Sequence, residues 1–583
     1  MTHPPSMGPS SSTQSRAALK REIIENNVYG VDIEKGAIDI ARLRFWLSIV
    51  VDSEEPEALP NFDYKFMQGN SLIESFEGVD LSRMMSSDGQ HSSLGKGKQK
   101  AGANQLGIEF ASTDTKRNLQ LMLREYFSIT DHEQKSRQRS EINDSVKSYI
   151  RQQGLRPEAA ARLSSLDPSA NQEFFLWHTW FKDIFDKGGF DIVVANPPYV
   201  FARNSEEKGI TPEMKRIYYD NFILAKYQVN LYHLFIEQGT KLLRTEGILS
   251  YIVPNNWLTI NTNKELRKFV LQKSNIQIVN FYKKVFEKAD VDSSIVVFSN
   301  KEEVSSKIKL YEATSKDEID LIKESDCTYF LNQKDFVINI DLLKNSSFSN
   351  ILNKIESSSR ELKEISEIKA GLKAYETGKG TPPLTKEMKE ARIYHSYVSK
   401  GDDWYRYLKG ADVCRYSLNW SGEFLKYGKN LAAPRTFNLY STPRILVRQI
   451  PSKLPYCINA IFTDDIYLND LNSMNIINIK ENPRFVLGIL NSKAVSFWFA
   501  HKFGKLQRGL FPQFKINELA TFPIPYATDK QQKSIIDLVD KILKVKRSNP
   551  SADTSALEHE IDQQVHALYG LTLEEIAAIE NSN

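Results

Sequence analysis

Short apolar runs alternate with amphipathic stretches over the first 300 residues. Residues 28–33 form one such run, and residues 37–51 follow it with Ile40, Leu43, Leu47 and Val50 at helical spacing. The run at 190–195 is nearly continuous, as in strands buried on both faces. Further strand candidates are 64–67, 247–254, 276–282 and a last one at 294–299, and further helix candidates are 174–185, 232–243 and 266–272. Strands that alternate with helices predict an α/β fold with a doubly wound, mostly parallel sheet.

The alternation of strand and helix patterns ends at about residue 300, and the pattern of the whole chain predicts several segments. We expect a disordered leader at 1–19, an α/β domain at 20–300 with an insertion at 76–170, a connecting segment at 301–364, a domain of short aromatic strands at 365–527, and a helical tail at 528–583. The insertion is low in complexity at its start and charged and helical later, which indicates a partly flexible segment followed by a helical hairpin.

Composition excludes several classes of protein. The 583 residues hold 76 Lys and Arg against 73 Asp and Glu, so the net charge is only +3 and a histone-like polycation is excluded. A local basic face would still suffice to bind a nucleic acid. The three cysteines, Cys327, Cys414 and Cys457, are too few and too widely spaced for a disulfide framework or a cysteine zinc site. We therefore expect a cytoplasmic protein without a metal site, and no apolar run is long enough for a membrane span.

The strand at 190–195 runs directly into Asn196, Pro197, Pro198 and Tyr199. Ligands of open α/β sheets bind beyond the carboxyl ends of the strands, and the prolines fix the backbone there. The side-chain carbonyl of Asn196 and the main-chain carbonyl of Pro197 suit the two hydrogens of an exocyclic amino group, and Tyr199 offers a ring for stacking on a base. Acceptors on both N–H bonds stabilise the positive charge that develops when such a nitrogen attacks a sulfonium methyl group. The motif therefore suits methyl transfer to an aromatic amine.

Residues 190–199 look like motif IV of the amino-group DNA methyltransferases, in the four-residue form of the N6-adenine members. Together with stretches at 27–32, 42–48, 68–72 and 177–185, the chain resembles the methyltransferase and specificity halves of Type IIG restriction–modification enzymes over roughly 20–75 and 170–583. The resemblance implies site-specific methylation of a flipped-out adenine at N6, with S-adenosylmethionine as the methyl donor and double-stranded DNA as the partner. Such an enzyme would serve a restriction–modification or phage-defence system.

The resemblance also implies roles for particular residues. Asp32 would accept hydrogen bonds from the ribose of S-adenosylmethionine, Ile33 would flank its adenine, and Asn70 with Ser71 would hold the adenine amino group. Asn196, Pro197, Pro198 and Tyr199 would hold the target adenine, and Phe286 would stack on it as motif VIII does. Structural alternatives remain for these roles: a solvated strand-end acid at Asp32, a turn residue at Asn70, a Pro-Pro turn that merely ends a strand at 196–199, and a hydrophobic plug at Phe286.

Residues 365–527 resemble the TaqI-like specificity domain of these enzymes. Basic residues stand among aromatics near its end, so Lys502, Lys505 and Arg508 are candidates for DNA contacts, as is Arg448 in the strand 444–449. For any single one of them, a solvated surface charge is the alternative.

The glycine-rich motif I, which the family carries on the first, central strand of its sheet, is not found. Residues 1–26 contain only Gly8 and no strand pattern, so the strands at 28–33 and 190–195 would face an empty slot with unpaired edges. We expect a truncated or split enzyme, with a separate polypeptide that supplies this strand or a nuclease domain. Three alternatives stay open: a non-catalytic DNA-binding remnant or specificity subunit, a methyltransferase for RNA or protein glutamine, and a metabolic α/β enzyme.

Overall fold

A computed structural model describes residues 16–53, 58–84, 118–200, 210–226, 230–281, 285–286, 292–303, 306–315, 318–344, 346–503 and 513–582. The chain divides into two compact units. The first comprises Met1–Val253, Phe269–Ile276 and Ile295–Ser306, and the second comprises Pro254–Lys268, Gln277–Ser294 and Lys307–Asn583.

The first part of the chain mixes short strands with helices. Its strands are β1 (Gly30–Asp32), β2 (Phe66–Gln68), β3 (Ser75–Phe76), β4 (Val79–Asp80), β5 (Phe190–Ala195) and β6 (Leu243–Pro254). Its helices are α1 (Arg16–Asn27), α2 (Lys35–Val50), α3 (His132–Gln152), α4 (Pro157–Ser165), α5 (Trp177–Trp180), α6 (Lys182–Phe185), α7 (Pro212–Asn221) and α8 (Leu231–Leu242). The helix expected at 174–185 is only the two short turns α5 and α6, because its aromatic side chains pack against one another and against Phe190 instead of along one helix face.

The strands that lead to the predicted site form two parallel pairs, as expected for an α/β fold. β1 pairs with β2, with Asp32 opposite Gln68, and β5 pairs with β6, with Ala195 opposite Tyr251. The chain continues through α9 (Lys264–Leu271), β7 (Lys273–Phe281), β8 (Ser293–Glu302), β9 (Lys307–Ala313) and β10 (Ile319–Asp326). The larger sheet has the strand order β10-β9-β7-β8-β6-β5, so β5 is an edge strand. The prediction that 294–299 is the last strand is wrong, because β9 and β10 follow β8. In β9, Ile308 and Leu310 alternate toward the core and continue the sheet.

β1 and β5 each have one edge that no described strand pairs with. In the described part of the chain β1 pairs only with β2 and β5 only with β6. The two strands nevertheless begin close together, since the rings of Tyr29 and Phe190 lie 5.7 Å apart. The interval between the edges is called the strand slot below.

Large apolar side chains are exposed on β5 and on α2. Ile192 and Val194 on β5 are 60% and 72% exposed, so the prediction of a strand buried on both faces is wrong. The reason is that β5 is an edge strand, and these two side chains are left uncovered by the described residues. The apolar face of α2 is also exposed: Ile40, Leu43, Leu47 and Val50 are each about half exposed or more, whereas Ile38 and Ile49 are buried.

The helical part of the insertion is packed into the first unit. Residues 118–126, α3 and α4 contribute buried Leu119, Tyr126, Ile142, Val146 and Leu163 to its core. The Tyr126 hydroxyl donates to Asp63 at 2.7 Å, and Arg42 and Lys135 form ion pairs with the same carboxylate. Burial favours the neutral acid, but the Tyr126 hydrogen bond and the two cations outweigh it and lower the pKa of Asp63. The expected flexible part falls largely on residues 85–117, which lie outside the described residues.

The second unit continues with short elements up to residue 426. They are α10 (Cys327–Leu331), α11 (Ile340–Lys344), α12 (Ser346–Ser357), β11 (Ser359–Glu361), α13 (Leu362–Ile365), β12 (Glu367–Ala370), α14 (Lys386–Glu390), β13 (His395–Ser396), β14 (Trp404–Leu408), β15 (Val413–Cys414), β16 (Ser417–Leu418) and β17 (Phe424–Lys426). β14 and β17 lie side by side in a four-stranded sheet of order β13-β17-β14-β20, whose last strand is Leu468–Asn469.

The closing elements pack on one large core. They are α15 (Asn438–Ser441), β18 (Arg444–Arg448), β19 (Ala460–Thr463), β20 (Leu468–Asn469), β21 (Ser473–Ile477), α16 (Pro483–Leu490), α17 (Lys493–Phe503), α18 (Ile516–Leu519), β22 (Pro523–Pro525), α19 (Asp529–Ser548), α20 (Ser555–Leu568) and α21 (Leu573–Glu580). The three terminal helices pack on α16 and α17: Gly488 lies so close to Ile535 that an added Cβ would be 2.8 Å away. In the part of the chain that the structure describes, no helix is long and apolar enough to cross a membrane.

Candidate active site

The motif that follows β5 is held by its own tyrosine. The Tyr199 hydroxyl lies 3.0 Å from Asn196 Oδ1 and 3.2 Å from the carbonyl oxygen of Ile252 at the end of β6. Its one hydrogen is therefore shared between two acceptors. Pro197 is buried, whereas Asn196 is exposed. The turn thus presents the Asn196 side chain outward at the carboxyl ends of two adjacent parallel strands.

The ends of β1 and β2 form the second part of the site. The Gly69 amide donates to the Asp32 carbonyl at 2.9 Å, which joins the turns that follow the two strands. Asp32 Oδ1 accepts from the Glu34 amide at 2.8 Å, and among the described residues its other carboxylate oxygen accepts no hydrogen bond. Ile33 is 40% exposed beside it. An exposed acid with a free oxygen beside an apolar side chain fits a ribose and its base.

Asn70 is engaged in its own turn. Its side chain is only 5% exposed, and Oδ1 accepts from the Leu72 amide at 3.2 Å. The Tyr218 hydroxyl also contacts the side chain of Asn70. Burial raises the pKa of Tyr218 to about 12. These contacts give Asn70 a structural role, so its contact with a cofactor stays a prediction, as does that of the neighbouring Ser71.

The turn after β2 is fastened to the segment that leads into β5. Trp177 Nε1 donates to the Ser71 carbonyl at 3.1 Å. The His178 amide and Nδ1 lie 2.9 and 2.8 Å from the two carboxylate oxygens of Glu74. Burial opposes a charge on His178, but the hydrogen bond and the charge of Glu74 outweigh it and raise the pKa of His178. The sequence did not predict the pairing of His178 with Glu74, although His178 lies in the stretch 177–185 that resembles the family.

The DNA-binding candidates differ in their surroundings in the structure. Lys502 Nζ lies 2.7 Å from the Glu356 carboxylate, so its charge already has a partner. Arg448 is half-buried at the end of β18. Lys505 and Arg508 lie outside the described residues. Phe286 is described and partly exposed, in the second unit. The roles assigned to all five remain predictions.

Two parallel strand pairs that carry an Asn-Pro-Pro-Tyr turn at one strand end and an acid at another fit the class of α/β methyltransferases. Family comparison agrees: residues 26–286 match the Eco57I restriction-modification methylase model, and residues 405–524 match the TaqI-like C-terminal specificity domain model. The chain thus contains an Eco57I-like restriction-modification methylase domain followed by a TaqI-like C-terminal specificity domain.

Individual relatives carry similar names. RM.MjaORFECS2P of Methanocaldococcus jannaschii, named as a type II restriction enzyme and methyltransferase, is 25% identical over 94% of this chain and 49% of its own length. The type II methyltransferase M.HincII of Haemophilus influenzae is 23% identical over 68% of this chain and 85% of its own length. The solved structure of the Type IIL restriction-modification enzyme MmeI with DNA aligns at a TM-score of 0.46 and 14% identity, over 76% of this chain and 63% of that one. The chain therefore spans about half the length of the first of these relatives.

Proposed function

We propose that this chain contains the catalytic and specificity domains of a site-specific DNA adenine-N6 methyltransferase of a restriction–modification system. The observation that carries the proposal is the turn after β5, where an exposed Asn196 side chain is held by the Tyr199 hydroxyl at the ends of two parallel strands. Such a turn offers acceptors and a ring where a ligand of an α/β sheet binds.

The turn would bind the amino group of a flipped-out adenine. Asn196 Oδ1 and the Pro197 carbonyl would each accept one N–H bond, while Pro198 stiffens the backbone between them and the Tyr199 ring. The two acceptors stabilise positive charge on the nitrogen as the new bond to carbon forms. Extrusion of the base from the duplex costs a few kcal/mol, which stacking on Tyr199 would offset.

The ends of β1 and β2 would hold S-adenosylmethionine. The free oxygen of Asp32 suits the ribose hydroxyls, Ile33 suits a face of the adenine, and Asn70 and Ser71 lie on the adjoining turn. When bound, this cofactor supplies an electrophilic methyl group on a sulfonium. The residues of this chain orient it and keep the target nitrogen in line with it.

We further infer that a strand from outside the described residues fills the strand slot. Among the described residues β1 and β5 each have one unpaired edge, and six large apolar side chains on α2 and β5 are exposed, namely Ile40, Leu43, Leu47, Val50, Ile192 and Val194. Completing the burial of these side chains would stabilise the folded protein by on the order of 5 kcal/mol, since a fully buried side chain of this size contributes about 1.5–3 kcal/mol. A strand followed by an amphipathic helix would satisfy both the edges and the apolar faces, and a separate polypeptide is one source of it.

The open strand slot also favours a second candidate, a DNA-binding remnant or specificity subunit that needs a partner chain for catalysis. The two candidates differ in cofactor binding by the isolated chain. Calorimetry with S-adenosylmethionine would find binding for a methyltransferase and none for a remnant.

The experiment that tests the proposed function is transfer of a tritium-labelled methyl group from S-adenosylmethionine. The acceptors are methylation-free genomic DNA, RNA and a glutamine-containing peptide, and the product nucleoside is identified by mass spectrometry. We expect N6-methyladenine in DNA and no transfer to RNA or peptide. Transfer to RNA or peptide alone, or equal transfer by Asn196→Ala, would refute the proposal.

A further inference from the structure

Two adjoining loops in the second unit are rich in positive charge. They are residues 371–381 and 428–435, called the basic loop pair below. The two loops contain four basic side chains and one acid, a net charge of +3 that equals that of the whole chain. The basic residues are Lys373, Lys379, Lys429 and Arg435.

Backbone hydrogen bonds hold the two loops against each other. Lys373 and Ala433 exchange both of their amide–carbonyl bonds, at 3.0 and 2.9 Å, and the Thr381 amide donates to the Lys429 carbonyl at 2.8 Å. Gly380 has a φ of +85°, and a Cβ there would lie 2.6 Å from the Asn430 carbonyl oxygen. The close approach therefore requires glycine, and the charges sit on a fixed frame.

Three of the four cations form no ion pair in the part of the chain that the structure describes. Lys373 pairs with Glu376 at 2.9 Å, whereas Lys379, Lys429 and Arg435 form no ion pair with any described residue. All three are exposed. An anionic partner would find these charges unpaired and in place.

Arg435 is held in an unusual conformation. Its φ is 63°, in the left-handed region that non-glycine residues seldom adopt. The Tyr427 hydroxyl donates to its carbonyl at 2.7 Å, and its own Nε donates to the Gly371 carbonyl at 3.2 Å. Its two Nη groups, by contrast, have no hydrogen-bond partner among the described residues. Strained residues that the surroundings hold in place are concentrated at functional sites.

We propose that the basic loop pair binds the phosphate backbone of duplex DNA, with Lys379, Lys429 and Arg435 as the phosphate contacts. This inference rests on the proposed function, because the loops lie in and beside the TaqI-like specificity domain. Phosphate oxygens suit both the planar guanidinium and the lysine ammonium groups, and such contacts set the register of a protein on DNA.

The test is the salt dependence of binding by the full chain to a fluorescently labelled duplex, measured by anisotropy. Each phosphate contact contributes about 0.9 to the slope of log K against log salt concentration. The triple variant K379Q/K429Q/R435Q is expected to lose about 2 to 3 from this slope, which corresponds to about 100- to 1000-fold in affinity near 0.1 M salt.

The matched control is K530Q/K541Q/K544Q on α19, which removes three exposed charges elsewhere. It should leave the slope unchanged. R435K, which keeps the charge but loses the Nε bond, checks for a purely structural effect and should retain most of the slope. An unchanged slope in the triple variant, or an equal loss in the control, would overturn the proposal. If the slope falls as expected but no methyl transfer occurs, the DNA surface stands and the proposed function fails.

Discussion

The tyrosine after β5 allows its hydroxyl and its ring to be tested separately. Tyr199→Phe removes the hydroxyl that lies 3.0 Å from Asn196 Oδ1 and 3.2 Å from the Ile252 carbonyl. Since one hydrogen serves both acceptors and the site is partly exposed, the loss amounts to about one net hydrogen bond, roughly 0.5–1.5 kcal/mol. We expect kcat/KM for DNA methylation to fall roughly 2- to 10-fold.

Tyr199→Ala also removes the ring on which the target base would stack. Stacking adds about 1–3 kcal/mol per base, so the total loss is expected to be roughly 10- to 1000-fold. Asn196→Ala removes an acceptor that acts on developing charge and should cost roughly 100- to 1000-fold in kcat. Duplex binding should change little in all three variants, because the base contacts form after flipping.

Initial rates of labelled methyl transfer to methylation-free genomic DNA would check this order. Tyr219→Ala is the matched control, since Tyr219 is 51% exposed on α7. If the chain needs a partner that fills the strand slot, all variants are compared in that same assembly. Equal losses for Tyr199→Phe and Tyr199→Ala, or for the control and Tyr199→Ala, would refute the assignment.

Three other features of the first unit lead to further predictions. Because the pKa of His178 is raised, its charged pairing with Glu74 is present below about pH 6.5 and is lost as the pH rises through the raised pKa. Cofactor affinity measured by calorimetry should therefore fall a few-fold toward pH 8 in the native chain. In His178→Gln the affinity should not change with pH. The double variant Leu43→Lys/Val194→Lys should change the free energy of unfolding by less than about 0.5 kcal/mol per site while it reduces self-association in sedimentation; a loss of several kcal/mol would mean that these side chains are already buried. Asp63 has a lowered pKa, so its contribution to stability is present above about pH 4 and lost as the pH falls through its folded pKa. Asp63→Asn should therefore lower the free energy of unfolding by on the order of 1 kcal/mol at pH 7 and by little at pH 3. An equal loss at both pH values in urea titrations would contradict this.

The parts of the site that are local in sequence could be predicted. The apolar run at 190–195 and the two prolines after it define both the strand and its end, and the acid at position 32 marks the end of β1. Strand existence depends on patterns of a few residues, which a single sequence contains. The roles of these residues in binding remain predictions, because geometry alone does not demonstrate a ligand.

Features that depend on distant partners could not be predicted. Lys502 looked like a free surface cation, but its partner Glu356 lies far away in the sequence. The exposure of Val194 depends on what lies beside the edge of β5, which the run itself does not contain. Likewise, the loops that carry Lys379 and Arg435 stand about fifty residues apart in the sequence and are joined only by backbone hydrogen bonds that the sequence does not reveal.

The most direct test of the account is expression of the chain in a bacterial host without DNA methylation, followed by sequencing that detects modified bases. Co-expression with the upstream segment of its own gene, where one exists, covers the need for a strand in the slot. We expect N6-methyladenine at one short sequence motif across the genome, and its disappearance with Asn196→Ala. Methylation that persists in Asn196→Ala, or that appears on cytosine instead of adenine, would contradict it.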